Sequence, residues 1–335
     1  MIERNLLVDG AWHGGASRVD VRSPWDDALV ARVAQATADH ADRALRAAQA
    51  ALPRLRALSA GRRREVLFGV ARGLERRGDE VVESIVREAG KPRTAAKVEL
   101  ARAIETFTLA AGELARFGGE VVPVDLAAGS DGTSCEVRRF PAGVVVGIVP
   151  FNFPLNLGAH KVAPALAVGA PIVIKPPPQA PSAQILLAEI ALAAGADPGA
   201  LQVLPCDNAV AESLATDPRV RVVSFTGSAR VGWRLKGAAR GKVVLELGGN
   251  AAAIVCADAD LDAAAARLAA GAFVYAGQVC IKAQRVIIEA PVFDDFVKRF
   301  VDKVKGIVVG DPSRDDVAVG PVIDAASAER IEGWV

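Results

Sequence analysis

From Thr37 to Phe117, Ala, Leu and Val recur at helical spacing between Arg and Glu, which predicts helix after helix, for example Ala38 to Leu52 and Gly61 to Arg77. The texture then changes. Val121 to Val124, Cys135 to Phe140 and Val144 to Val149 are rich in β-branched residues, with Gly129-Ser-Asp-Gly-Thr133 as turn material, so an extended hairpin is expected there. After Pro154 the pattern alternates. Helices over Asn156 to Val168, Ala183 to Ala194, Val210 to Ala215 and Arg230 to Ala239 interleave with strands Ile172 to Lys175, Leu201 to Leu204, Val220 to Phe225 and Lys242 to Leu245. Strands separated by helices of this length imply parallel crossovers and a sheet covered on both faces, an α/β doubly wound fold. Such sheets bind ligands at the carboxyl ends of their strands, and Lys175, Thr226-Gly227-Ser228 and Glu246 all lie just past predicted strand ends. Beyond Asn250, a strand (Ala252 to Cys256), a helix (Leu261 to Ala270), and a further helix and strand around Cys280 (Ile287 to Glu289) begin a second unit.

Composition narrows the classes of function. The 335 residues exceed the usual size of one domain, about 100–200 residues, so two cores are expected. Hydrophobic residues are 51% and charged residues 24%, without a Pro/Gly/Ser-rich linker or a like-charge block, as in a folded soluble protein. Lys plus Arg (40) nearly cancel Asp plus Glu (39), so no electrostatic pull toward nucleic acid or an anionic membrane is expected. A small molecule is the expected partner. The N-terminal stretch from Met1 to Gly10 lacks the long apolar core of a signal peptide, and apolar runs elsewhere are broken before spanning length, which points to the cytoplasm. Cys135, Cys206, Cys256 and Cys280 are far apart, without zinc-ligand spacing, so free thiols and no metal are expected.

Several segments could carry chemistry. A lone cysteine is most often a small buried residue, but Cys280 follows Gly277-Gln-Val, where Gly277 lets backbone and ligand approach closely and a preceding helix could present the thiol at a cleft. Glu246, in Leu245-Glu-Leu-Gly-Gly-Asn250, leaves a strand end over a tight turn; it is either a solvated or capping carboxylate, or a general base with its pKa raised by a partly apolar cleft. Asn152 sits in Val149-Pro150-Phe151-Asn152-Phe-Pro154, where it is a turn former or N-cap, or donates its amide to an oxyanion. In Phe225-Thr226-Gly227-Ser228 the free amides of a helix start could receive a pyrophosphate, although Ser228 alone could be an N-cap. Lys175 is an ordinary surface lysine or a donor to ribose hydroxyls or phosphate.

Together these motifs resemble the aldehyde dehydrogenase superfamily, and the likeness runs from Val8-Asp-Gly-Ala-Trp12 and Ser23-Pro-Trp-Asp26 through Glu88-Ala-Gly-Lys-Pro92 to Val319-Gly-Pro-Val-Ile323. The resemblance implies a Rossmann-like cofactor domain (residues 1–122 and 147–248), a β-hairpin oligomerisation arm (123–146) and an incomplete α/β catalytic domain (249–335). It makes Cys280 the nucleophile and Glu246 the base for the deacylating water. Asn152 and the Cys280 backbone N–H form the oxyanion hole. Lys175 binds the adenosine ribose, Gly227-Ser228 meet the pyrophosphate, and Pro150, Phe151 and Thr226 belong to the cofactor site. NAD or NADP is the implied cofactor and a small aldehyde the substrate, oxidised to the acid through a thiohemiacetal and a thioester. The Pro150 to Leu157 run and Gly277-Gln-Val-Cys-Ile-Lys282 look like the branch handling lactaldehyde, glyceraldehyde phosphate and small semialdehydes.

The departures carry their own expectations. Pro178 stands where many NAD-preferring relatives have an acidic residue, so NADP should be tolerated and even preferred; Ala170 stands where Asn is usual. The family's Glu-x-Phe-Gly-Pro segment and final intersubunit strand are absent, and the sequence ends at Ile331-Glu-Gly-Trp-Val335, within an expected helix. This reading expects a C-terminally truncated member, poorly stable and weakly active, in which the family's homo-oligomer lacks a strand. Two other functions compete: a coenzyme-A-acylating aldehyde dehydrogenase, against which Glu246 argues, and a catalytically dead remnant that still binds nucleotide. Arg102 and Arg285 could anchor a substrate carboxylate or phosphate, with a surface or structural salt-bridge role as the plainer one.

Overall fold

The computed structural model describes residues 2–334, so Met1 and Val335 lie outside the described residues. Its centre is a seven-stranded sheet in the order Lys242–Leu247, Val220–Gly227, Val144–Ile148, Ile172–Lys175, Leu201–Val203, Leu6–Val8, Ala11–His13. The first five strands run parallel, and Leu6–Val8 pairs antiparallel with Leu201–Val203 and with Ala11–His13. Ile172–Lys175 is buried along its whole length, as expected of a strand covered on both faces.

Each face has its own core. On one, Val66, Leu67, Val70 and Leu74 of helix Ala60–Arg76 meet Ala103 and Phe107 of Arg93–Glu113, Val162 of Asn156–Val168 and Leu186 of Ser182–Ala193. On the other, Ala44, Leu45 and Ala48 of Ala38–Ala57 pack with Val146, Val173, Leu214 and Phe225. Thr37 and His40 form a reciprocal capping box that starts Ala38–Ala57, and Ser59 caps Ala60–Arg76.

Two features depart from the sequence expectation. Gly119–Val122 pairs antiparallel with Cys135–Arg138 as a hairpin, but Val144–Ile148, grouped with it above, is a parallel strand of the central sheet between Val220–Gly227 and Ile172–Lys175. The hairpin stands clear of the core, with Val121 78% exposed. The N-terminal segment, without predicted elements, supplies Leu6–Val8 and Ala11–His13 to the central sheet. It also forms a separate three-stranded sheet, Ile2–Arg4, Leu29–Gln35 and Ser17–Arg22.

Beyond Asn250, Ala251–Val255 pairs parallel with Ala283–Ile288. Helices Leu261–Phe273 and Phe293–Lys305 cover one face, around Val255, Ala265 and Phe296, with Phe296 and Phe300 stacked at 5.9 Å. On the other face Ile254 and Ile287 are exposed.

Glu88 makes stability depend on pH. It is fully buried, and its carboxylate accepts from the Ser182 backbone N–H at 3.0 Å and from the Ser182 hydroxyl. Burial outweighs these bonds and raises its pKa from 4.5 to about 7. The folded state therefore holds a proton that the unfolded chain releases. This contribution to stability is fully present below about pH 4.5 and is lost as pH rises through about 7, an effect of about 3 kcal/mol. Glu88→Gln is expected to flatten the melting temperature between pH 5 and about 8, as read by thermal denaturation; an unchanged slope would show that Glu88 is not the group responsible.

Candidate active site

Three chain segments meet at the carboxyl ends of the central strands. The turn after Val144–Ile148 brings Pro150, Phe151 and Asn152. Val220–Gly227 ends in Thr226 and Gly227, followed by Ser228. Lys242–Leu247 brings Glu246. With the segment around Cys280 they line one cavity of about 810 Å³, together with Leu157, Gln179 and Lys282. Eight of the residues singled out in the sequence thus line one cavity: Pro150, Phe151, Asn152, Thr226, Gly227, Ser228, Glu246 and Cys280. Lys175 and Pro178 are not in this lining.

The approach to Cys280 differs from the expected simple helix. Leu261–Phe273 ends at Phe273, and then Tyr275, Ala276 and Gly277 take φ of 53°, 53° and 69° before the chain turns at Cys280 into Ala283–Ile288. Left-handed backbone costs little at Gly277 but is unfavourable at the two non-glycine residues. Gly277 alone was legible beforehand as a place for tight geometry. Cys280 is exposed.

Glu246 is also exposed, and it lines the cavity together with the apolar residues Phe151, Leu157 and Leu247. Lys242–Leu247 is an edge strand in which alternate side chains face outward, and Glu246 falls on the outward set.

Asn152 is fixed at both its ends. Its side-chain Nδ2 donates to the Gln278 carbonyl at 2.9 Å, and its own carbonyl accepts from Lys91 Nζ at 2.8 Å. One Nδ2 hydrogen is left for a substrate oxygen, and Oδ1 is buried without a hydrogen-bond partner among the described residues. The turn after Asn152 is tied in turn by Gln184, whose Nε2 donates to the Pro154 carbonyl and to Leu155 O. Gly158 leaves room for that amide, since a Cβ there would run into the end of the Gln184 side chain and displace it.

Ser228 is the extended N-cap of Ala229–Ala238, but its side chain makes no cap hydrogen bond, so the capping role open to it in the sequence is not taken. Its hydroxyl and the first amides of that helix remain available to an anion. Gly227 has a packing role, because a Cβ would sit 2.6 Å from the Phe225 ring.

Lys175 is buried at a strand end, and its ammonium makes no hydrogen bond or ion pair among the described residues. Burial lowers its pKa, opposed by the nearby Cys206 and Asp207. Its surface-lysine alternative therefore fails.

Some site residues escaped sequence reasoning. Lys161, on the apolar helix Asn156–Val168, donates to Ser224 Oγ at 3.1 Å and Thr226 Oγ1 at 2.8 Å. Burial lowers its pKa to about 8, against an upward pull from the charge of Glu246. A lysine in so apolar a helix was the available signal. Lys91, Glu99 and Tyr275 form a buried group behind the site, and only Lys91 lay in a quoted motif. Arg102 and Arg285 are exposed, do not line the cavity and make no ion pair among the described residues, so of their plainer roles the surface one is taken and the salt bridge is not.

The sequence matches the aldehyde dehydrogenase family over residues 12–335. It is similar to 3-sulfolactaldehyde dehydrogenase of Priestia megaterium, at 39% identity over 332 residues, 98% of this chain and 69% of that protein. The structure resembles aldehyde dehydrogenase 21 of Physcomitrella patens in complex with the reaction product succinate, with a TM-score of 0.95 at 38% identity, covering 99% of this chain and 70% of the other. It resembles equally the NADP-dependent glyceraldehyde-3-phosphate dehydrogenase of Bacillus halodurans complexed with NADP, with a TM-score of 0.96 at 33% identity, covering 99% and 71%.

Proposed function

Because the chain belongs to the aldehyde dehydrogenase family, we propose that it oxidises a small aldehyde to the carboxylic acid through covalent intermediates on Cys280, with NAD or NADP as hydride acceptor. The observation that carries this reading is the convergence of Asn152, Glu246 and Cys280, from three separate segments, on one cavity with Thr226, Gly227 and Ser228.

The cofactor-binding residues fit a dinucleotide. The uncommitted Ser228 hydroxyl and helix amides suit a pyrophosphate, and the unpartnered Lys175 ammonium suits ribose hydroxyls or phosphate. The nicotinamide, when bound, supplies the hydride acceptor. All other chemistry falls to the chain.

Attack of Cys280 Sγ on the aldehyde carbon forms the C–S bond and places negative charge on the carbonyl oxygen. Asn152 Nδ2 and the Cys280 backbone N–H donate to that oxygen, an arrangement worth about 3–4 kcal/mol per donor in other enzymes. Loss of hydride from the carbon leaves a thioester on Cys280. Glu246 then takes a proton from water, the hydroxide adds to the acyl carbon, and the C–S bond breaks to release the acid and the thiolate. The presence of Glu246 in the lining favours water over coenzyme A as the acyl acceptor.

The substrate class is a small aldehyde bearing an oxygen-rich or anionic group, supported by the relatives named for 3-sulfolactaldehyde and glyceraldehyde-3-phosphate. NADP is accepted at least as well as NAD, since Pro178 places no carboxylate against a 2′-phosphate. The test is the reduced-nicotinamide absorbance with lactaldehyde, succinic semialdehyde and glyceraldehyde 3-phosphate. A kcat/KM with NADP equal to or above that with NAD is expected; a value about tenfold lower would overturn the cofactor assignment, and no reduction with any aldehyde would overturn the reaction.

A further inference from the structure

Behind the cavity lies a buried ion pair that the reaction above does not use. Lys91 and Glu99 are 1% and 0% exposed, and Lys91 Nζ lies 2.6 Å from Glu99 Oε2. An ion pair at such depth is weak evidence of stabilisation, because both charges lose their hydration and apolar residues of similar volume commonly serve as well. What the pair offers instead is direction, and its bonds run to two segments of the site.

The first segment is the turn that carries Asn152. Lys91 Nζ donates to the Asn152 carbonyl at 2.8 Å, while Glu99 Oε1 accepts from the backbone N–H groups of Leu155 and Asn156 at 2.9 and 3.0 Å. Those two amides open helix Asn156–Val168, whose N-cap Leu155 makes no side-chain cap bond, so Glu99 is the cap. One ion pair thus grips both ends of a five-residue turn, residues 152–156.

The second segment leads to Cys280. The Lys91 ammonium lies 3.5 Å from the centre of the Phe153 ring and 5.0 Å from that of Tyr275, so aromatic faces hold it. Tyr275 is 1% exposed and its hydroxyl donates to the Ala89 carbonyl at 2.7 Å, two residues before Lys91. The ring and hydroxyl of Tyr275 therefore both bind the loop that carries Lys91. Tyr275 also opens the left-handed stretch Tyr275, Ala276, Gly277, a backbone shape that persists only when its surroundings hold it. Next comes Gln278, whose carbonyl accepts from Asn152 Nδ2 at 2.9 Å and whose own Nε2 donates to Tyr275 O at 3.3 Å. The contacts close a ring from Lys91 through Asn152 and Gln278 to Tyr275 and back.

We propose that Lys91, paired with Glu99 and seated against Tyr275, is a positioning residue that holds the amide of Asn152 in register with the loop carrying Cys280. It touches no reacting atom. The proposal rests on the catalytic reading of Asn152 and Cys280, and its test separates the two.

The decisive variant is Lys91→Met/Glu99→Gln, which removes both charges together and leaves a carbonyl oxygen at position 99 to cap the helix. Hydrogen exchange needs no turnover, and it should quicken at least about tenfold in residues 152–156 and 275–280 alike, with strand Ile172–Lys175 unchanged. Faster exchange in 152–156 alone overturns the tie. In pre-steady-state kinetics the acylation rate should fall about 100-fold, with KM within about threefold, as expected for a donor misplaced by a fraction of an ångström to an ångström. The same substitutions added to Asn152→Ala should then cost less than about threefold, because the donor they position is gone. A loss that multiplies through in that background means a general structural role and overturns the proposal.

Tyr275→Phe keeps the ring and removes only the link to Ala89, so it serves if the double variant does not fold. Faster exchange over 275–280 and about tenfold slower acylation are expected; wild-type exchange there overturns that side of the tie. If the unaltered chain forms no acyl-enzyme, the catalytic reading fails, and the exchange result still decides whether Lys91 couples the two segments.

Discussion

Cys280→Ala is expected to lower aldehyde-dependent formation of reduced nicotinamide by about 10³-fold or more, as removal of a covalent nucleophile does in other enzymes. No other thiol can take over. Cys206 is buried beneath the sheet, and burial pushes its pKa up to about 12, which leaves almost no thiolate at neutral pH. Cys135 begins a strand of the hairpin, and Cys256 follows strand Ala251–Val255; neither lines the cavity. Cys280 is exposed on the cavity wall beside Gln278, whose carbonyl holds the Asn152 amide. Because an alanine on an exposed turn removes little packing, the melting temperature should stay within about 2 °C of the parent. A steady-state measurement with the same aldehyde and both nicotinamide cofactors checks the rate. Retention of more than about a tenth of the activity would move the nucleophile elsewhere.

Glu246→Gln should separate the two halves of the reaction. Glutamine has nearly the shape of glutamate but cannot take a proton from water, so attack and hydride loss continue while thioester hydrolysis stalls. A stopped-flow trace is expected to show a burst of about one reduced nicotinamide per chain, followed by a steady rate about 10²–10⁴-fold lower. Exposure of Glu246 on the edge strand makes a change of fold an implausible cause of such a loss. A trace without a burst, slow from the start, would place Glu246 in the first half instead.

The alternating strands and helices after Pro154 were legible because the physics there is local. Ile172–Lys175, for example, is a β-branched run buried on both faces, and its limits match those read from the sequence. Partner choice was not legible. Val144–Ile148 has the same β-forming composition as the hairpin strands, and only its two neighbours, Val220–Gly227 and Ile172–Lys175, brought close by folding, make it a central strand. The N-terminal strands Leu6–Val8 and Ala11–His13 have three residues each, too short to show a period.

The site divides in the same way. Asn152, Glu246 and Cys280 could be singled out because small or turn-forming neighbours mark them along the chain. Glu99 could not, since nothing local distinguishes it from a charge on a solvated helix; Lys91 stood in the Glu88 to Pro92 motif, but its role depends on contact with a residue 61 positions away, as that of Glu99 does on one 56 positions away. The exposure of Glu246 was not legible for a related reason. Burial depends on what packs over an edge strand, and the sequence of that strand does not contain this information.

In the proposed reaction the acyl group is carried on Cys280. This is tested most directly by mixing Glu246→Gln with lactaldehyde and NADP, quenching in acid within the burst, and mapping the peptides by mass spectrometry. A lactyl thioester is expected on the peptide containing Cys280, in near-stoichiometric amount and absent when the cofactor is withheld. An acyl group on another residue, or none while reduced cofactor accumulates, would contradict that reaction.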